Sequence, residues 1–203
     1  MSELPLKDKN QLIIKAARKR FAHYGFSKVT MDEIAGDVEM GKASLYYYFP
    51  TKEDLFKAVI SQEQNEFVKN IETLLQKKSS ASDKLNQYVE QRLKYFRDLV
   101  NLGMLSVHSV FDIKSIFKKL FEDFESQELI LLKKIIEEGK STGEFTKDLP
   151  NNFTKIFLHI LQGLRFRVIK LLSEHKANEE IYKELESEMK IAAGYLIKGI
   201  KHR

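Results

Sequence analysis

The stretch Gly41-Lys42-Ala43-Ser44-Leu45-Tyr46-Tyr47-Tyr48-Phe49-Pro50-Thr51-Lys52 holds the side chains best suited to do chemistry in this chain of 203 residues. Its pattern predicts a short helix, a tight turn at Pro50 and the start of a second helix. Leu45 and Phe49, four apart, share a face that can be buried. Lys42, Ser44, Tyr46 and Tyr47 are left toward the outside. Three consecutive tyrosines cannot all point inward on a helix, so at least one phenol is exposed. An exposed aromatic beside an ammonium and a hydroxyl, with small residues that permit close approach, suits the phosphates and base edges of DNA. The competing reading is an aromatic helix in an ordinary core, because aromatics are usually packing residues.

The elements before it are laid out to position it. Residues 8–23 read as a helix, with Ile13, Ala17, Phe21 and Tyr24 at three-to-four spacing and Lys15, Arg18 and Lys19 on the other side. Gly25 follows as a terminator. Thr30-Met31-Asp32-Glu33 is a capping box, opening a second helix through Ile34-Ala35-Gly36-Asp37-Val38. Gly36 weakens that helix and leaves room for a close neighbour. Glu39-Met40-Gly41 forms the turn, with Gly41 as N-cap of the next helix. Two short helices joined by about three residues, behind a longer basic one, make a helix-turn-helix candidate. Thr51 can cap a fourth helix, and Lys52 beside that helix start is placed to clamp a phosphate.

The fourth helix, about 51–77, carries one apolar patch at Leu55, Phe56, Val59 and Ile60 and another at Phe67, Val68, Ile71, Leu74 and Leu75. The polar run Ser61-Gln62-Glu63-Gln64-Asn65-Glu66 lies between them. It reads as one rod whose ends pack into two bodies: a helix-turn-helix domain over 1–52 and a larger helical domain over 53–203. Further helices are expected at about 83–101, 103–112, 114–139, 151–173 and 178–200, about nine in all, giving an all-α fold. The segment 151–173 is apolar almost all round and must be covered on every side. The economical cover is a second copy of the chain, two helices from each forming a four-helix bundle. Phe157, Leu161, Val168, Ala192 and Leu196 are the candidates for that seam. A monomer that encloses the helix is the alternative.

Composition limits the chemistry. There is no cysteine, hence neither disulfide nor thiolate metal site. The N-terminus lacks a signal-peptide pattern and no apolar run is long enough to span a membrane, so a cytoplasmic protein without a membrane partner is expected. Net charge is +5, of which residues 1–52 carry +3 from nine basic and six acidic side chains, a pointer to a polyanion. The histidines at 23, 108, 159, 175 and 202 are scattered, and no metal motif, P-loop or dinucleotide glycine run is present. No cofactor, no metal and no enzymatic activity are expected. A helical enzyme carrying an incidental helix-turn-helix is the rival that this absence disfavours. Arg165 and Arg167 interrupt the most apolar helix. The favoured partner for each is a carboxylate at the dimer rim; the second choice is an anionic ligand.

From about Gln11 to Ile60 the chain resembles the DNA-binding domain of the TetR family of bacterial transcriptional regulators. The resemblance runs through Ala16-Ala17, Phe21, Gly25-Phe26, Thr30-Met31-Asp32-Glu33-Ile34-Ala35, Met40, Lys42, Leu45-Tyr46, Tyr48-Phe49 and Lys52-Glu53-Asp54-Leu55. Gly41 stands where the family usually has serine or threonine, Ala43 where glycine is common, and Glu39 replaces a usual turn glycine. The resemblance implies a homodimer that binds double-stranded operator DNA and is released by a small-molecule effector. Lys42, Ala43, Ser44 and Tyr46 would reach base edges, Thr30, Tyr47 and Lys52 phosphates, Tyr48 either, with Gly41 at the start of the reading helix. An effector cavity in the larger domain would be apolar and aromatic. Its candidate lining is Tyr88, Phe96, His108, Phe111, Phe121, Phe124, His159 and Phe166. Ligand there would swing the fourth helix and change the spacing of the two reading helices. A constitutive DNA-binding protein of the same fold, without an inducer, is the alternative.

Overall fold

Helix-forming sequence punctuated by few glycines and prolines gives a fold built from helices. The computed structural model describes residues 6–101, 118–174 and 179–202, with side chains described over 8–98, 118–165 and 180–202. Eight helices are described: α1 (Leu6–Tyr24), α2 (Met31–Asp37), α3 (Lys42–Tyr48), α4 (Lys52–Leu75), α5 (Ala81–Asn101), α6 (Lys118–Ser141), α7 (Phe153–Glu174) and α8 (Glu179–Ile200). The helix expected at about 103–112 lies outside the described residues. Among those described, the one β-type pairing is an isolated antiparallel bridge between Phe145 and Lys201. No described helix is long and apolar enough to cross a membrane.

The first three helices close on a small core of Ile13, Ala17, Phe21, Ile34, Leu45, Leu55 and Phe56, all fully buried or nearly so. Phe21 and Phe56 meet edge-on at 5.0 Å. Tyr24, expected on this face, is instead exposed, with the Arg20 guanidinium over its ring. Gly25 ends α1 at φ +80°, donating its N–H to Phe21 O at 2.9 Å. That left-handed geometry is what a helix-terminating glycine supplies.

α4 runs through both bodies, packing on α1 with its first half and on α5 and α6 with its second. Its polar middle is not a solvated waist. Glu63 and Gln64 are buried, while Asn65 and Glu66 are exposed. Glu63 meets Arg18 of α1 at 2.5 Å. Burial pushes the Glu63 carboxyl above its ordinary range, and Arg18 pulls it back.

The larger body is α5, α6, α7 and α8 around α4. α5 is capped twice: Ser80 Oγ accepts the N–H of Asp83 at 3.0 Å, and Glu144, in the loop after α6, accepts the N–H of Ala81 at 2.7 Å and of Ser82 at 3.0 Å. The same loop holds the end of α8, through Thr146 N to Ile200 O and His202 N to Glu144 O. Gly139 is required by close packing here. A Cβ on it would lie 2.1 Å from the fully buried Phe145 ring.

Candidate nucleic-acid interface

The helix-turn-helix is built from local signals. Thr30 caps α2 reciprocally with Glu33: its hydroxyl oxygen accepts Glu33 N at 3.3 Å, and Glu33 Oε2 accepts Thr30 N at 2.8 Å. These bonds hold the Glu33 carboxyl below its usual range. Arg20 of α1 grips Asp37 at the far end of α2 with two N–H groups, at 2.5 and 2.8 Å. α2 is therefore fixed at both ends.

The turn is a Schellman motif. Met40 N donates to Ala35 O at 2.9 Å and Glu39 N to Gly36 O at 3.2 Å. The position that this motif normally gives to glycine is occupied by Glu39, at φ +53°. Gly36 does not admit a close neighbour as expected; the space beside it is open.

α3 then presents nearly all of itself. Leu45 is its one buried residue. Lys42, Ala43, Ser44, Tyr46 and Tyr47 are exposed, Tyr47 at 78%, and Tyr48 is half-buried with its ring edge-on to Tyr47. Gly41 precedes the helix in extended backbone without a side-chain cap. Phe49, expected to share the buried face, is only partly covered. Lys42 Nζ reaches Asp32 of α2 at 2.9 Å, and that bond raises its pKa. The ammonium is thus already held at the mouth of the reading face by a carboxylate.

Lys52 has a structural task beyond the expected phosphate clamp. Its Nζ donates to the carbonyls of Phe26 and Val29, each at 3.0 Å, and sits 4.6 Å from the Phe26 ring centre. It staples α4 to the loop before α2, leaving one of three N–H groups for another acceptor. Thr51 caps α4 by accepting Asp54 N at 3.0 Å.

A surface of this shape, one seven-residue helix held outward on a fixed three-helix base, is matched along the whole motif. Residues 13–59 fit the family model described as bacterial regulatory proteins, tetR family, and residues 60–163 fit that of the YsiA-like protein, C-terminal region. The chain belongs to the TetR family. It is a DNA-binding transcriptional regulator, and its relatives are regulators, not enzymes. A transcriptional regulator from Cytophaga hutchinsonii, known from its crystal structure, is 42% identical, with a TM-score of 0.88 over 96% of this chain and 99% of that one. The HTH-type transcriptional regulator QacR of Staphylococcus aureus is 27% identical over 178 residues, 87% of this chain and 90% of the relative. The structure of FadR from Bacillus subtilis in complex with stearoyl-CoA, at 19% identity, shares the fold, with a TM-score of 0.68 over 94% of this chain and 98% of that one.

In the larger domain of this TetR-family regulator the structure sorts the remaining candidates. Tyr88, Phe96 and Phe124 are buried and Phe121 is half-buried. His159 is not enclosed with them; it is half exposed and faces Glu125 at 3.8 Å. His108 and Phe111, and the side chain of Phe166, lie outside the described residues. What sequence reading missed is polar. Glu128 of α6 is fully buried and accepts bonds from Tyr88 Oη and Arg92 of α5. Arg165 of α7 adds a second guanidinium, 5.6 Å from the Phe96 ring centre. The signal was present: Arg92 is four residues from both Tyr88 and Phe96, and Glu128 four from Phe124 and Leu132, so both sit in phase with a buried stripe.

The proposed seam needs correction. Phe157 is 1% and Leu161 0% exposed within a single copy of the chain, so neither can touch a partner. The cause is helix phase: α7 turns both toward its own core. Among the described residues of α7 and α8, the large apolar side chains left exposed are Ile156 on α7 with Ile191 and Tyr195 on α8, beside partly exposed Ala192 and Leu196. The side chain of Val168 lies outside the described residues. Among the described residues no cluster of His, Asp or Glu could hold a metal ion.

Proposed function

We propose that this regulator is a dimeric repressor, releasing a pseudo-palindromic operator when a small molecule enters its larger domain. The observation that carries the reading is α3, which buries Leu45 alone and leaves Lys42, Ala43, Ser44, Tyr46 and Tyr47 exposed. Each copy would set α3 in the major groove of one half-site. The half-sites would lie about 34 Å apart or a multiple, following the two-fold axis. Lys42, Ala43, Ser44 and Tyr46 read base edges, Tyr47 and the spare N–H of Lys52 take phosphate, and Tyr48 lies between the two. The two copies would join along Ile156, Ala192, Ile191, Tyr195 and Leu196. FadR from Bacillus subtilis, which shares the fold, has been crystallised in complex with stearoyl-CoA, and that supports a small-molecule ligand for this regulator.

Selection of duplexes from a random pool, followed by footprinting, tests the reading. A two-fold-symmetric protected site is expected. Lys42→Ala should cost the selected site about 1–3 kcal/mol and relax specificity at the base pair it contacts. Tyr46→Ala should weaken the selected site more than random duplex. Wild-type affinity in both variants would remove α3 as the reading helix. Equal occupancy under every small molecule that binds would favour the inducer-free alternative.

A further inference from the structure

Arg92 and Glu128 are enclosed in the core of the larger domain, and the partly exposed Arg165 brings a second guanidinium to them. Glu128 is committed: one oxygen takes Tyr88 Oη and Arg92. Arg165 has no bonding partner among the described residues, and its Nε is buried with none. The nearest carboxylate acting on it, Glu125, is partly exposed and accepts Gln162 at 3.1 Å. Burial first, and then the like charge of Arg92, pulls the Arg165 guanidinium down to about 10.

The unpaired atoms around Arg165 have a common character. Tyr95 Oη and Gln64 Nε2 are buried without a partner, on side chains each 5% exposed. The Gln64 amide lies against the Tyr95 phenol and acts to lower its pKa as a donor, but burial outweighs it and drives the Tyr95 pKa up to about 12. Arg165 Nε, Tyr95 Oη and Gln64 Nε2 can all donate. The buried acceptors nearby without a hydrogen bond, Glu128 Oε2 and Glu63 Oε1, belong to carboxylates already held by Arg92 and Arg18. Phe67, Phe96 and Phe124 supply apolar walls, Phe67 at 5.4 Å and Phe124 at 5.1 Å from the Tyr95 ring. Arg165 Nε and the Tyr95 hydroxyl are buried donors without an acceptor, and the partly exposed Arg165 has only the partly exposed Glu125 as a counter-charge, so the site lacks an acceptor of negative charge.

We propose that Arg165, Tyr95 and Gln64 seat the acidic head of the effector, an organic carboxylate on an apolar body. This rests on the reading that the larger domain takes an effector. A cation would have to displace Arg92 from Glu128 and lie against Arg165. A neutral alcohol would leave the charge uncompensated.

Matched probes separate these cases: 2-naphthoate against 2-naphthalenemethanol and 2-naphthylmethylammonium, and octanoate against octanol and octylammonium. The chain has no tryptophan, so naphthalene emission can be followed directly. Calorimetry covers the octyl set. At least one carboxylate should bind saturably and at least tenfold tighter than its neutral and cationic partners. Arg165→Gln should weaken it about tenfold or more, and Tyr95→Phe, which removes one oxygen, about threefold to tenfold. A cooperative melt by circular dichroism certifies that each variant is folded. Preference for the alcohol or the ammonium, or carboxylate binding unchanged in both variants, overturns the proposal. Failure of both carboxylates overturns it too, while binding of a selected duplex by the same wild-type preparation leaves the DNA-binding reading standing.

Discussion

Glu39 turns the chain between α2 and α3 with a backbone angle that side chains other than glycine adopt at a cost of about 1–2 kcal/mol. Glycine would remove that cost but add disorder to the unfolded chain. The net gain expected for Glu39→Gly is about 0.5–1 kcal/mol. Thermal unfolding should move up by about 1–4 °C in a chain of this size. The variant also loses a negative charge next to the reading helix, so its affinity for duplex at low salt should rise. An unchanged or lower melting temperature would mean that Glu39 makes a compensating interaction. Asp32→Asn belongs to the same scale. It frees Lys42 from its carboxylate partner, and tighter binding to any duplex is the expected result, read by titration at two salt concentrations.

Helix ends and helix faces were legible to different degrees. The capping box of α2, the glycine after α1 and the Thr51 cap of α4 rest on residues within four positions of each other, and the structure has all three. The cap of α5 is only half local: Ser80 Oγ accepts the Asp83 N–H at 3.0 Å, but the first two N–H groups look elsewhere. Those two are met by Glu144, more than sixty residues away in sequence, and no local pattern announces that. Burial works to raise the Glu144 pKa, but the bonds from Ser82 and Ala81 win and hold it below the usual range. A folded value below the unfolded one means that this carboxylate stabilises the fold at neutral pH. The contribution is lost as pH falls below about 4.5 and through the depressed folded value. Glu144→Gln should therefore cost about 1 kcal/mol at pH 7. The difference from wild type in urea unfolding should shrink toward nothing near pH 3. A gap that stays constant with pH would assign the effect to shape alone.

At the scale of the whole molecule, periodicity located the eight described helices but not which side of each is covered by its own chain. The apolar run of α7 suggested a partner for Phe157 and Leu161, and both turned out to be internal. Arg165 and Tyr88 stood out in the sequence, but Arg92 and Glu128 did not, for a related reason: the four come from three helices and meet only in the fold. The exposed pair Ile191 and Tyr195, one turn apart on α8, gives the seam a direct test. Ile191→Asp with Tyr195→Asp should leave helix content intact and shift the protein from dimer to monomer in sedimentation. Operator affinity should fall steeply with it, since two linked half-site contacts become one. A dimer that survives both changes would place the seam elsewhere.

Two consecutive side chains in the middle of α4 look in different directions. Glu63 holds Arg18 of the DNA-binding body, and Gln64 lies against Tyr95 of the other. Successive residues stand about 100° apart around a helix axis, so the pair works like adjacent teeth on one shaft. Any twist that Tyr95 imparts to Gln64 arrives at Arg18 without passing through a flexible joint. Whatever moves one gear moves the other.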